Sequence, residues 1–303
     1  MKKSKALGAK FIALDVFYII MMILPLAAGM VLKILTEPVT EGINITGARI
    51  FFTIPMPLQD LPITEAQINS SLVLITITFL CLYITHGINE KAGLKRQHIA
   101  ELIVEKVEGL VAENMGEYFG GFPPFIIAIM ALSAFSSLMS LLGLFPPTSD
   151  INIVGGWAIL VFILITYYKL KCGFWNYLKS FTEPIALLAP INFLSEFATP
   201  ISMAFRHYGN ILSGTVISVL VGAGLTLLSS LVLSWLPGFL GTIPFLKIGL
   251  PAVLSIYFDV FSGCLQAFIF AMLTMLNIST GFSPDAYEAR KAKKTAKAKL
   301  KKQ

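Results

Sequence analysis

Read for the alternation of apolar and polar positions, the chain shows six long apolar stretches, at about 11–36, 70–88, 122–145, 153–168, 185–236 and 248–278. A run of roughly 18 or more apolar residues is long enough to span a bilayer as a helix. The pattern predicts an all-α, polytopic membrane protein with about six membrane segments. One polar stretch has its own period: Ile99, Leu102, Ile103, Val107, Leu110 and Val111 recur at helical spacing, with glutamates elsewhere. That predicts an amphipathic helix over 98–120, lying at the cytoplasmic interface or packed on the soluble side. Residues 37–69, with Pro38, Pro55, Pro57 and Pro62, read as a polar outer loop.

The fifth stretch sets the topology. Ile201–Leu236 holds 36 residues without a proline. As one helix it would measure about 54 Å, against roughly 30 Å of hydrocarbon. It either turns near 222–224 into two spans or runs as one inclined helix. Charge decides. With one helix the chain crosses six times, and 19 of the 23 Lys and Arg residues share the side of both termini. Splitting it would strand the eight basic residues from Arg290 to Lys302 outside, against the positive-inside tendency. Ala252–Thr280, also proline-free, would be about 43 Å long and must lean too. The two form a hairpin suited to lying alongside a neighbour.

Three regions result. Residues 1–69 form an N-terminal span and outer loop, 70–284 the main membrane domain, and 285–303 a basic cytoplasmic tail, disordered or weakly helical. A cleaved signal peptide competes for 11–36, although Val16–Leu32 is longer than a usual signal core.

Composition agrees with the pattern. Hydrophobic residues are 56% and charged ones 13% of the 303, with a mean hydropathy of +0.78; a soluble domain carries about 25% charge. A net charge of +6 could suit nucleic acid. The basic residues sit at span boundaries and in the tail, however, which points to orientation near anionic lipid and not to a nucleic-acid partner. Cys81, Cys172 and Cys264 are widely spaced and suggest neither a disulfide framework nor a metal site. No P-loop, HExxH or GxGxxG motif is present, so no nucleotide, cofactor or metal site is expected.

The candidate chemistry is then conspicuous. Arg206 is the only charged side chain from Phe197 through Leu246. A charge deep in a spanning helix costs about 2.5–3.5 kcal/mol on insertion scales and usually faces a cavity or partner. Arginine, unlike lysine, also stays protonated there. Ser202, Arg206, Asn210, Ser213 and Gly214 follow at three- and four-residue spacing, on one helical face. For Ser213 and Gly214, close helix packing is an equal reading. Asp259 is the only charge from Ile248 to Pro284, with Gln266 seven residues later on the same face. Desolvation disfavours a charged carboxylate at bilayer depth, which suits proton handling. The competing role for Asp259 is an internal partner for Arg206; Glu196 lies across Pro200 from that arginine. Thr215 either bonds Asp259 across the hairpin or bonds back to its own helix. His207 adjoins Arg206 on another face.

These residues carry a resemblance. "PINFLSEFATPISMAFRHYGNILSG" resembles the signature of subunit a of the F-type ATP synthase, and "LQAFIFAMLTML" resembles its final helix. With a span, an amphipathic segment, "LLGLFPP" and a hairpin before the signature, the likeness extends over about 70–280. It implies two long inclined helices curving around a ring of c subunits, with peripheral-stalk b subunits as further partners. Arg206 would face the ring carboxylates and separate two aqueous half-channels for protons or sodium ions. Asn210, Thr215, Asp259 and Gln266 match ion-path positions, with Ser202 and Glu196 as further candidates. The chain departs from the pattern at His207, where the family commonly has Leu, and at Thr215 and Asp259, where it often has Glu or His. The setting expected is a bacterial plasma membrane with both termini cytoplasmic. The alternative is a self-contained secondary transporter gated by an Arg206–Asp259 pair.

Overall fold

The computed structural model describes residues 2–36, 47–57, 59–88, 95–182, 185–233, 249–250 and 253–300, and the side chains of all these except 2–10 and 293–300. Among the described residues six helices are long and apolar enough to cross a membrane: Phe11–Thr36, Glu65–Thr85, Pro123–Leu142, Ile151–Cys172, Ala186–Leu233 and Val253–Thr280. The elements run α1 (Lys2–Thr36), β1 (Ile50–Ile54), β2 (Leu61–Thr64), α2 (Glu65–Thr85), α3 (Lys95–Met115), α4 (Pro123–Leu138), α5 (Ile151–Cys172), α6 (Phe174–Thr182) and α7 (Ala189–Leu233). The last span is α8 (Val253–Thr280), followed by α9 (Pro284–Leu300).

The short β-hairpin was not foreshadowed by the reading of 37–69 as loop. Its strands pair antiparallel, and Ile50, Phe52 and Ile54 supply the β-branched and aromatic residues that favour a pleated surface. Of the prolines that argued for loop, Pro38 lies outside the described residues. Pro55 and Pro57 follow β1, and Pro62 sits in β2, which in a two-stranded sheet has a free edge to spare. Arg49 bonds the buried Glu65 at 3.1 Å and the Thr36 carbonyl at 3.1 Å, tying the hairpin to the facing ends of α1 and α2. The Thr64 N–H donates to the Gln67 side chain at 3.3 Å, one half of a capping box.

α1 packs along α2, with Leu26 and Leu72 against the buried Val73 and Leu144. Polar contacts fix both its ends. Lys33 reaches the Gly143 carbonyl. Asp15 accepts from Arg96 at 2.9 Å and lies 2.8 Å from His86 Nδ1, while Arg96 also donates to the His86 carbonyl at 2.7 Å.

α5 shows why its sequence makes one span. Asp150 caps the start by accepting from the Asn152 N–H at 2.9 Å. Gly173, at φ +127°, ends the helix in a conformation open to a residue without Cβ. Lys169 and Lys171 fall in the last turn, where cations favour the helix dipole. Arg290 then donates to the last-turn carbonyls of Leu170 and Lys171 at 2.6 and 3.0 Å. The same contact docks α9 onto the body, so the start of the tail is ordered and helical.

α7 is one helix of 45 residues, about 68 Å long, unbroken at 222–224. It starts earlier than its proline-free part, continuing through Pro200. Twice the hydrocarbon thickness, it must lean or project beyond the bilayer. The connection 234–248 lies outside the described residues. In α8 a π-helical stretch, Ile256–Ser262, precedes regular helix. The main core gathers where α3, α4, α5, α7 and α8 meet, around Val111, Ile126, Val161, Met203, Phe270 and Met275. Only one end of the amphipathic α3 is buried there. Ile99, Leu102 and Ile103 are exposed, as befits a helix whose first turns meet lipid.

Candidate functional site

The rotation of α7 about its axis follows from its buried stripe: Pro200, Met203, Ala204, His207, Ile211 and Gly214, spaced at helical period and facing the core. Arg206, one residue from that stripe, is exposed. Among the described residues no ion pair involves it. Asp259 does not reach it; its carboxylate accepts from Ser255 Oγ, four residues back on α8. The contact that an Arg206–Asp259 gate requires is not formed.

The other candidates divide into two groups along α7. Towards its C-terminal end, Asn210 Oδ1 accepts from Ser262 Oγ at 2.9 Å, linking α7 to α8 one turn from Arg206. The Asn210 Nδ2 group is buried without a protein partner. Gly214 faces Phe258, three of whose atoms lie 3.0 Å from where a Cβ would stand. Glycine is the close-approach residue here, as its helix-packing reading had it. Thr215 bonds back to the Ile211 carbonyl at 3.0 Å and does not touch Asp259. Ser202 and Ser213 are exposed with Arg206, so the polar stripe splits between outward-facing residues and residues turned to α8.

Gln266 is buried and Asp259 half-buried. Their shared face assumes uniform α-helical spacing, whereas Asp259 sits inside the π stretch, whose i→i+5 bonding departs from that winding. Nothing in the period of the sequence marks that stretch.

Towards the N-terminal end of α7, Glu196 accepts from Lys169 at 2.9 Å and from the Tyr177 hydroxyl at 3.3 Å. Its side chain is 6% exposed. The three groups border a cavity of about 490 Å³ that includes Asn176, Asn192, Ser195 and Thr280 in its wall. A smaller cavity of about 130 Å³ shares Lys169, Glu196, Thr280 and Gly281 and extends to Thr199 and Asn277. Asn277 in turn donates to Met203 Sδ at 3.7 Å, one turn from Arg206. Burial, with the Glu196 carboxylate beside it, pushes the Tyr177 phenol above its usual value, so it stays a hydrogen-bond donor at neutral pH. Lys169 and Tyr177 were missed in the sequence. Lys169 looked like one more boundary charge, and only the fold shows which carboxylate it meets.

An exposed arginine flanked along its helix by a polar cavity on one side and a polar helix–helix contact on the other is the arrangement against which known proteins can be compared. The ATP synthase A chain family matches residues 68–279, which spans α2 to α8 and includes every candidate named above. The chain belongs to that family. It is 31% identical to ATP synthase subunit a of Priestia megaterium over 246 residues, covering 75% of this chain and 97% of the relative. It is 32% identical to that of Desulforamulus reducens over 211 residues, covering 68% and 75%. ATP synthase subunit a 1 of Crocosphaera subtropica is 28% identical over 71% of this chain and 85% of the relative. Membership places the chain in the membrane sector of an ATP synthase, as a multi-pass, ion-translocating component. The family match leaves out α1, the β-hairpin and α9.

Proposed function

We propose that this chain is the stator a subunit of a rotary ATP synthase, and that Arg206 works against the carboxylates of a c-ring seated along α7 and α8. The observation that supports it most is that Arg206 is exposed and forms no ion pair among the described residues, while polar groups lie on both sides of it along the helix. The cavities bounded by Lys169 and Glu196 form the inner half-channel. Asn210, Thr215, Asp259 and Gln266 lie along the outer one. An ion, proton or sodium, enters by one half-channel and neutralises a ring carboxylate, which then rotates into lipid. On its return the fixed guanidinium attracts the carboxylate and releases the ion into the other half-channel, and its charge blocks direct passage between the two. Each unit charge crossing 100 mV supplies about 2.3 kcal/mol, so several must pass for each ATP made by other subunits. The complex is completed by peripheral-stalk b subunits and lies in a bacterial plasma membrane. α1 is an extra span clamped to α2, which puts both termini on the cytoplasmic side.

The test is reconstitution. The isolated chain in vesicles is expected to pass no ions and drive no solute, whereas the complete membrane sector conducts. Solute-coupled flux by the chain alone would refute the reading.

The inner half-channel makes its own prediction. Glu196→Gln strands the Lys169 ammonium in the cavity. It should lower gradient-driven ATP synthesis in vesicles about tenfold, a 1.4 kcal/mol effect. Adding Lys169→Met removes the stranded charge and should recover much of the loss.

A further inference from the structure

His207 is unused by the function proposed above, yet it is fully buried beside the exposed Arg206. Its Nε2 lies 3.2 Å from Ser133 Oγ of α4. Its ring meets Trp157 of α5 and Phe270 of α8 edge-on, at 6.0 and 5.8 Å between centroids. One residue of α7 thus touches three other helices. Its Nδ1 is buried without a partner among the described residues. We assign the ring proton to Nε2, donated to Ser133, since a bare acceptor is less costly to bury than a stranded N–H.

We propose that the His207–Ser133 hydrogen bond is the positioning device that fixes the rotation of α7 and thereby aims Arg206 at the rotor. The inference rests on the stator reading and adds a residue to it. Of the other buried side chains on this stripe, Ala204 and Ile211 attract without direction and Met203 offers only a weak thioether acceptor, to Asn277 at 3.7 Å, so a helix resting on them alone can turn a little at small cost. A hydrogen bond cannot, because it weakens steeply with angle. Leverage makes small turns matter. An extended guanidinium sits roughly 8 Å from the helix axis, given a Cα radius of about 2.3 Å, so a turn of about 20° carries it about 3 Å. That is the difference between a hydrogen bond and none. Asn210, one turn on, bonds Ser262 of α8 at 2.9 Å. The two polar contacts, one and four residues beyond Arg206, hold α7 against two different helices.

The test uses the assembled synthase in inverted vesicles, reading gradient-driven ATP synthesis, passive ion leak and the amount of this chain in the complex. His207→Leu fills the space without the bond and should cut synthesis about fivefold, the population shift that one neutral hydrogen bond supports, with increased leak. His207→Gln, which offers an amide near the Nε2 position but cannot act as a titrating ring, should stay within about twofold of the parent. Ser133→Ala should match His207→Leu, and the double variant should be no worse than either, since both remove the same bond. Unchanged synthesis in His207→Leu, or a His207→Gln variant as impaired as His207→Leu, overturns the proposal. Should His207→Leu fail to assemble, Ser133→Ala decides, and parental coupling there also overturns it. An Arg206→Ala enzyme that still made ATP would instead refute the stator reading.

Discussion

Arg206→Ala should abolish gradient-driven ATP synthesis while the complex still assembles with a full complement of this chain. The separation of effects follows from where the side chain lies. Arg206 is exposed and its packing neighbours are on the other face of α7, so truncation opens no cavity in the core and leaves no described carboxylate unpaired. Stability should change little, by the rule that substitutions away from buried features stay within about 0.5 kcal/mol. Function should not be spared. Removing a preorganised charge aimed at a reacting group typically costs 10²–10³ in rate, and here the same charge is proposed to seal one half-channel from the other. Synthesis is therefore expected to fall more than about a hundredfold, with increased passive ion leak. Arg206→Lys should fail as well, because an ammonium at that depth can shed its proton and lacks the guanidinium fork. The measurement is synthesis under an imposed ion gradient, alongside the amount of this chain in the purified complex. Retained synthesis at normal assembly would end the stator reading.

What the sequence disclosed and what it withheld follow from range. Helices crossing a bilayer must be apolar over their whole length, so α1, α2, α4, α5, α7 and α8 announce themselves locally. Proline and charge placement correctly made α7 one helix. Arg206 stood out because its cost in hydrocarbon is a property of one residue in its own segment. The partners did not. Lys169 and Glu196 are 27 residues apart, and Ser133 and His207 are 74 apart; no period links either pair. Asp259 was found as a charge, but the π stretch around it changes the winding on which face arguments depend. The β-hairpin was hidden behind its prolines: Pro55 and Pro57 follow β1, and Pro62 is carried within β2.

Close approach of α4 and α8 is the feature most exposed to a single methyl group. A Cβ at Gly263 would stand 2.6 Å from Ser137 Cβ and 3.2 Å from its Oγ, against an ordinary carbon–carbon contact of about 3.5–4.0 Å. The obstruction is next to the backbone of α4 and cannot swing aside as a long side chain could. Gly263→Ala must therefore push the helices about 1 Å apart. Overpacking of this kind costs about 1–3 kcal/mol, which corresponds to roughly a five- to 150-fold loss of the correctly packed form. The displacement would fall on Ser262, the adjacent residue, whose bond to Asn210 joins α8 to α7. Assembly yield and ATP synthesis should thus decline together, unlike the effect at Arg206. Ser137→Gly in the same chain removes the opposing Cβ and should restore both, less about 1 kcal/mol for a glycine in a helix. Gly214→Ala should be milder, because its nearest atoms, Cβ, Cγ and Cδ1 of Phe258, stand at 3.0 Å and not 2.6 Å, so a smaller displacement relieves the contact. If Gly263→Ala were harmless, α4 and α8 would not be in direct backbone-level contact, and the anchoring of Ser262 beside Asn210 would need another cause.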